Sequence, residues 1–207
     1  LVIVGANPAV SNGSIMSAPG MKGRLRALRD RGGRVVVVDP RRTETARLAD
    51  AHHFVRPGTD ALWLFALARE IFETTGPRLG RLEPHVKRLD VARELARPFT
   101  PEAVAAPTGI PAAVTREVAE KLVHTEEAVL YGRIGVCTQA FGGLCGWLVN
   151  LVNLIAGNLD SPGGAMFTTP AIDALQLASR LGRAGSFARS RTRVRGLPEF
   201  GGELPTA

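Results

Sequence analysis

The stretch "VVVVDPRRTETARLADAHHFVRPGTD", residues 35 to 60, decides the fold class. Val35 to Val38 is an unmixed β-branched run with no polar alternation, which calls for burial on both faces and suits a central strand of a parallel sheet. Asp39-Pro40 turns the chain at the end of that strand, and Thr43 to Ala49 reads as a short helix. A brief extended piece at His53 to Val55 follows, then a Pro57-Gly58 turn, then a helix that Thr59 or Asp60 is placed to cap. Strand and helix alternating at this pace indicate an α/β fold.

Upstream, Leu1 to Val4 is a buried strand running into Gly5, and Asn7 to Gly20 is a turn-rich loop. Met21 to Asp30 is helical and ends at Gly32-Gly33, as a left-handed cap would end it. Downstream, the helix after Asp60 carries Leu62, Leu64, Phe65, Leu67, Ala68 and Phe72 on a broad apolar face. Between Thr74 and Pro111 the composition shifts to proline, glycine and charge, with helical pieces at Val86 to Ala96 and Pro101 to Ala106. Pro111 to His124 is a helix, Ala128 to Tyr131 a strand, and Gly142 to Ala156 an apolar helix stopped by Gly157-Asn158. The expectation is Rossmann-like parallel sheets flanked by helices, the two halves contributing parts of two domains. Its divisions are residues 1–75, a helical connector at 76–125, a second α/β part at 126–170, and an Arg-rich irregular segment at 171–207. Because Leu1 already stands in a strand, the chain is expected to be a piece of a longer polypeptide, with a sheet edge left open.

At 207 residues and 45% apolar content the chain can bury a real core. Cys137 and Cys145 match neither a zinc pair nor a redox C-x-x-C, and a reducing, cytoplasmic compartment fits them best. No uninterrupted apolar stretch is long enough to span a bilayer. The net charge of +7 is uneven: Arg180, Arg183, Arg189, Arg191, Arg193 and Arg195 form a run without an acid. Nucleic-acid binding would call for stacking aromatics beside them, and only Phe187 is at hand. His52 and His53 are adjacent in a strand and face opposite sides, so they cannot easily share a metal; His85 and His124 are isolated.

Three loops carry candidate chemistry. In VGANPAVSNGS a strand ends in Gly5 and small and amide residues follow, exposing backbone N–H groups, with Asn7, Ser11, Asn12 and Ser14 as further donors. This loop is not G-x-G-x-x-G, and it also fits an ordinary strand-to-helix connection. Asp39 stands at a strand's carboxyl end, where doubly wound folds meet a ribose or a base edge, with Arg41 and Arg42 beside it. An Asp-Pro turn with two solvated arginines fits equally. In Arg56-Pro57-Gly58-Thr59-Asp60, Gly58 permits close approach and Asp60 offers two acceptors suited to the N1 and exocyclic amine of guanine; capping of the next helix is compatible with that role.

The series GANP, VVVVDPRRTETARLAD, RPGTDA, YGRIGVCTQAFG and NLVNLIAGNLDSPGGAMF resembles, in that order, the molybdopterin oxidoreductases of the dimethyl-sulfoxide-reductase type, the superfamily that includes formate dehydrogenases and nitrate reductases. The resemblance covers roughly residues 1–170 and continues weakly through SRTRVRGLPEFGGELP. It implies a bis-molybdopterin guanine dinucleotide cofactor carrying molybdenum or tungsten. Gly5, Ala6, Asn7 and Pro8 match the loop whose backbone approaches the nucleotide; Asp39, Pro40, Arg41 and Thr43 match the loop over ribose and base. Gly58, Thr59 and Asp60 match the guanine-reading loop, and Arg133, Gly135, Thr138 and Gln139 match a loop approaching the pterin region. The family's [4Fe–4S] cysteines and its metal ligand lie upstream of the matching part, so the resemblance assigns this chain no catalytic and no metal-ligating residue. The implied partners are the rest of the parent polypeptide, an electron-transfer subunit and a small-molecule substrate, with no nucleic acid and no membrane span. A nicotinamide-dependent dehydrogenase domain, opposed by the missing glycine fingerprint, and a non-catalytic nucleotide or nucleic-acid-binding module are the alternatives. Cys145 reads as a small core hydrophobe, and Trp63 and Trp147 as core or interface.

Overall fold

The computed structural model describes residues 1–207 apart from 14–16, 168–170, 183–184 and 205–207. It divides into two units, residues 1–166 and 167–207.

In the first unit four short strands, β1 (Val2–Val4), β2 (Val36–Val38), β3 (Ala51–His53) and β4 (Leu130–Gly132), make one sheet in the order β3-β2-β1-β4. Every pairing is parallel. Successive side chains of a strand face opposite ways, and the core divides accordingly. Val2, Val4, Val38 and Leu130 join one apolar cluster, while Ile3, Val35 and Val37 join another. Helices α2 (Met21–Asp30) and α3 (Glu44–Leu48) cover the second face through Leu25 and Ala46. On the first face lies α4 (Asp60–Thr74), buried on nearly all sides, with Trp63, Leu64, Leu67 and Ile71 shielded from solvent. A helix apolar on all sides is a core helix, and α4 is surrounded by α5 (Leu89–Ala96), α6 (Pro101–Thr108), α7 (Ala112–His124) and α9 (Gly142–Ile155). Trp63 Nε1 donates to Thr115 Oγ1 at 3.2 Å, so even its polar atom is satisfied inside the core.

Several element bounds depart from the sequence expectation for local reasons. Pro8–Ser11 forms a single-turn helix, α1, inside the expected loop, with Pro8 in its first turn and Asn12 in left-handed conformation at its end. The third strand falls two residues early, at Ala51–His53, because Asp50 accepts the Val35 N–H at 2.8 Å and sets the register from that end. Pro84 sits in a 3-10 turn at Gly80–His85, and α5 starts after it at Leu89.

The larger difference concerns the two halves: β4, from the 126–170 part, pairs with β1, so the halves share one sheet. Leu1 also begins no open edge, because β1 is paired on both sides. The edges fall on β3 and β4, and the β4 edge is blunted. The Val2 N–H donates to the Val129 carbonyl, so the groups of the next residue, Leu130, point outward. Asn153, 1% exposed on α9, meets them: its Oδ1 accepts the Leu130 N–H at 2.9 Å and its Nδ2 donates to the Leu130 carbonyl at 2.8 Å. One side-chain amide thus does what a further strand would do.

The second unit, taken by itself, holds α10 (Ala174–Arg180) and a hairpin of β5 (Phe187–Arg191) and β6 (Pro198–Phe200). Glu199 is buried and accepts hydrogen bonds from Ser186 and from the Arg189 and Gly202 amides; that set, the Ser186 hydroxyl foremost, holds its carboxyl below the usual range. Arg180, Arg189, Arg191, Arg193 and Arg195 are exposed, and Arg183 lies outside the described residues. Phe200 packs edge-on against Phe187 at 5.0 Å, an aromatic partner that adjacency in sequence does not reveal.

Asn153→Leu is nearly isosteric but leaves two buried groups of Leu130 without partners. At about 1–3 kcal/mol for each unsatisfied group, it is expected to cost about 2–5 kcal/mol in urea unfolding at pH 7. A loss below about 0.5 kcal/mol, the range of an ordinary surface change, would show that the edge does not depend on this amide.

Candidate functional site

Since the strands are parallel, the loops that follow them emerge at one edge of the sheet. The chain steps outward from β1 to β2 and β3 and then returns to β4 on the other side of β1. Open α/β sheets bind ligands outside the carboxyl ends of their strands, at such a reversal. The loops at this edge contain Gly5 to Pro8 after β1, Asp39 to Thr43 after β2, Gly58 to Asp60 after β3, and Arg133 to Gln139 after β4.

The loops after β1 and β4 touch backbone to backbone. The Gly135 N–H donates to the Gly5 carbonyl at 2.9 Å. A Cβ at Gly135 would stand 2.7 Å from that oxygen, and one at Gly5, where φ is +55°, would stand 2.8 Å from the Val136 nitrogen. Only glycine allows this approach from both sides. It closes the crevice at this level, so a ligand at this edge lies over the loops.

Asp60 is the buried acid of the site, 6% exposed in the first turn of α4. Its side chain does not cap the helix; nor does Thr59, whose hydroxyl donates to the Arg56 carbonyl at 2.7 Å. Instead Gln139, 79 residues away, donates from Nε2 to Asp60 Oδ2 at 2.8 Å. That bond is charge-assisted, a class worth about 1.5–3 kcal/mol. The other amide atom, Gln139 Oε1, is buried and has no partner among the described residues, and an orphaned acceptor costs about 1–3 kcal/mol. Gly58, at φ +83°, has open space where a Cβ would be.

Asp39 is 9% exposed; its Oδ1 accepts the Arg41 N–H at 2.8 Å and its carbonyl meets His52 Nε2 at 3.0 Å. Burial pushes its carboxyl up from the usual value, with the Asp60 charge adding and the Arg41 amide, Arg41 and His52 opposing. Arg41 and Arg42 are exposed, and Arg41 Nη2 lies 3.7 Å from Glu44 Oε2. Two buried carboxylates beside an orphaned amide oxygen and exposed guanidiniums form a cradle of mixed donors and acceptors, the chemistry a nucleotide's base edge and phosphates call for.

Some expected site residues are engaged elsewhere. The Asn7 side chain donates to Glu44 at 2.7 Å and accepts from both the amide and hydroxyl of Thr45, at 3.1 and 2.8 Å, so it ties α1 to α3. Thr43 is buried and caps α3 through the Ala46 N–H. Thr138 bonds locally to the Ile134 carbonyl at the end of α8 (Ile134–Cys137). Pro8 opens α1, Ala6 is buried, and Pro40 and Arg133 are exposed. Ser14 lies outside the described residues.

A cleft of about 580 Å³ runs from these loops, at Pro8, Val136 and Cys137, along β1 and β4 past Tyr131, Val149 and Met166. A smaller hollow of about 340 Å³ surrounds the Arg29–Asp50 ion pair at the opposite, amino end of the strands. Cys145 is fully buried, its thiol pushed up to about 11 by burial first, so it is inert packing. Among the described residues no group of three or more His, Cys, Asp or Glu side chains is placed to hold a metal, and no helix is long and apolar enough to cross a membrane.

No family model matches the chain. It is similar to a protein of Staphylococcus aureus (strain MRSA252) that carries a provisional formate dehydrogenase name, at 28% identity over 181 residues, 87% of this chain and 18% of that protein. It is also similar to formate dehydrogenase H of Escherichia coli (strain K12), at 28% identity over 162 residues, 77% of this chain and 22% of the relative. The chain spans about a fifth of the length of these relatives. Acetylene hydratase from Pelobacter acetylenicus shares the fold, with a TM-score of 0.67 at 23% identity over 79% of this chain and 22% of that one.

Asp39→Asn keeps the acceptor for the Arg41 amide and removes the buried charge. A folded pKa raised above the unfolded value, near 3.8, means that the folded chain holds the extra proton. The contribution to stability is therefore present below the unfolded value and lost as pH rises through the folded one. The substitution is expected to raise the melting temperature at pH 7 and to have little effect below pH 3.8. A lower melting temperature at pH 7 would contradict the assignment.

Proposed function

We propose that the chain is the guanine-nucleotide-binding part of a molybdenum or tungsten oxidoreductase of the formate dehydrogenase and nitrate reductase type. Its loops hold a bis-molybdopterin guanine dinucleotide cofactor. The observation that carries the reading is Asp60, a carboxylate buried at the ligand edge of the sheet whose one side-chain partner is the Gln139 amide. The motif order and the similarity to formate dehydrogenases over most of the chain support it.

In this reading Asp60 accepts two N–H groups of guanine, Asp39 with the Arg41 amide borders the ribose, and Arg41 and Arg42 neutralise phosphate charge. Gly5 to Asn7 and Gly58 admit the ligand closely through their backbone. Gly135 brings the β4 loop to the same ligand and Gln139 stands at its base subsite, with Arg133 and Thr138 on the outer side, in the direction of the pterin. When bound, the metal–pterin group supplies the electron transfer to and from a small substrate. The [4Fe–4S] cluster and the metal ligand belong to other parts of a parent polypeptide, an electron-transfer subunit is its partner, and the 207-residue chain alone does not turn over. Nucleic acid is not a partner, and the compartment is the cytoplasm.

Calorimetry of the 207-residue chain is expected to show GMP binding more tightly than AMP. Asp60→Asn turns an acceptor into a donor facing a donor and is expected to weaken GMP by about 10- to 100-fold, equivalent to about 1.4–2.8 kcal/mol. In the parent polypeptide, mild acid should release a guanine nucleotide and elemental analysis should find molybdenum or tungsten. Equal affinity for GMP and AMP, or recovery of NAD or FAD in place of the guanine nucleotide, would overturn the reading.

A further inference from the structure

Gln139 reaches across from the β4 loop to a carboxylate on the first turn of α4, and it does so at a disadvantage. One end of its amide donates to Asp60 while the other, Oε1, is buried without a partner. An amide whose role was purely structural would have both ends satisfied, as Asn153 and Asn7 do in the same unit. The Gln139 backbone stands in the short connection between α8 and α9, its carbonyl accepting the Gly142 N–H at 2.9 Å, and its Nε2 has only a long second contact, 3.5 Å to the Gly135 carbonyl, so the bond to Asp60 is the main tie of the side chain. Asp60, for its part, is a buried acceptor that requires a donor and receives none from its own helix.

We infer that Gln139 Nε2 stands in, in the ligand-free chain, for the N–H donor of the base, so that a nucleotide entering the site must displace Gln139 from Asp60. The inference rests on the guanine reading above and adds a consequence that the reading alone does not carry. Displacement frees Oε1 to regain hydrogen bonds with water, which offsets the loss of the Asp60 bond. It also releases the end of the β4 loop from the β3 loop, so filling the base subsite repositions Thr138 and Gln139 while the Gly135–Gly5 and Arg133–Val4 backbone bonds hold the start of that loop. Gln139 is thus a positioning residue that competes with the ligand. A joint reader of the base would have the opposite effect on affinity.

The sign of one substitution separates the two. Gln139→Ala removes the competitor, and the chain is expected to bind GMP about three- to tenfold more tightly, the second figure being 1.4 kcal/mol. Gln139→Met, which keeps the length and lacks the donor, is expected to do the same and guards against misfolding of the first variant. In wild-type chain, GMP should shift the Gln139 side-chain amide resonances toward solvent-exposed values and speed hydrogen exchange at Thr138 and Gln139. Weaker GMP binding by either folded variant, or unchanged affinity and an unshifted amide, would overturn the inference while leaving the guanine reading intact. Absence of GMP binding by wild type and both variants, all with native circular dichroism, would overturn the guanine reading and this inference with it.

Discussion

Parallel pairing of β1 between β2 and β4 is the constraint on which everything else in the first unit depends. A strand buried on both faces and paired on both edges can be left only at its ends, so each connection must cross a face of the sheet and re-enter at the amino end. All loops that follow strands then gather at the carboxyl edge. The close contact of Gly5 with Gly135 is the local expression of this geometry: two loops leaving adjacent parallel strands have to pass within a backbone's width of each other.

Much of this was legible in residues 35–60. The valine run does lie in a central strand, a short helix does follow it, and the helix after Gly58 does begin at Asp60. Local patterns carried these features because burial on both faces and a Pro-Gly turn are properties of a few adjacent residues. The pairing of β4 with β1 was not legible, since no local signal in Leu130 to Gly132 records a partner that lies more than a hundred residues earlier in the chain. The same holds for Asn153, an ordinary polar residue in an apolar helix until the free edge of Leu130 is placed against it. It holds also for Gln139 and Asp60, matched to separate motifs and joined only by the fold. Asn7 shows the converse, because its amide suggested a ligand donor and the structure commits it to Thr45 and Glu44.

The site gathers several features that cost stability. Elsewhere buried polar groups such as Trp63 with Thr115 and Asn153 with Leu130 are matched, although Arg69 Nε on α4 also lacks a hydrogen-bond partner among the described residues. At the strand ends Asp39 is held with its charged form disfavoured, Asp60 has one donor, and Gln139 Oε1 has no partner. Buried polar atoms left incomplete at the ligand edge of a parallel sheet are what a binding site looks like before its ligand supplies the missing bonds.

The central claim is that the four strand ends act as one guanine-nucleotide site. A titration of the isotope-labelled chain with GMP, followed residue by residue through its backbone amide resonances, tests it most directly. The account predicts that Gly5 to Asn7, Asp39 to Arg41, Gly58 to Asp60 and Gly135 to Gln139 shift together along one binding curve. Shifts confined to the Arg189–Arg195 hairpin, or strand-end loops that respond with different affinities, would contradict it.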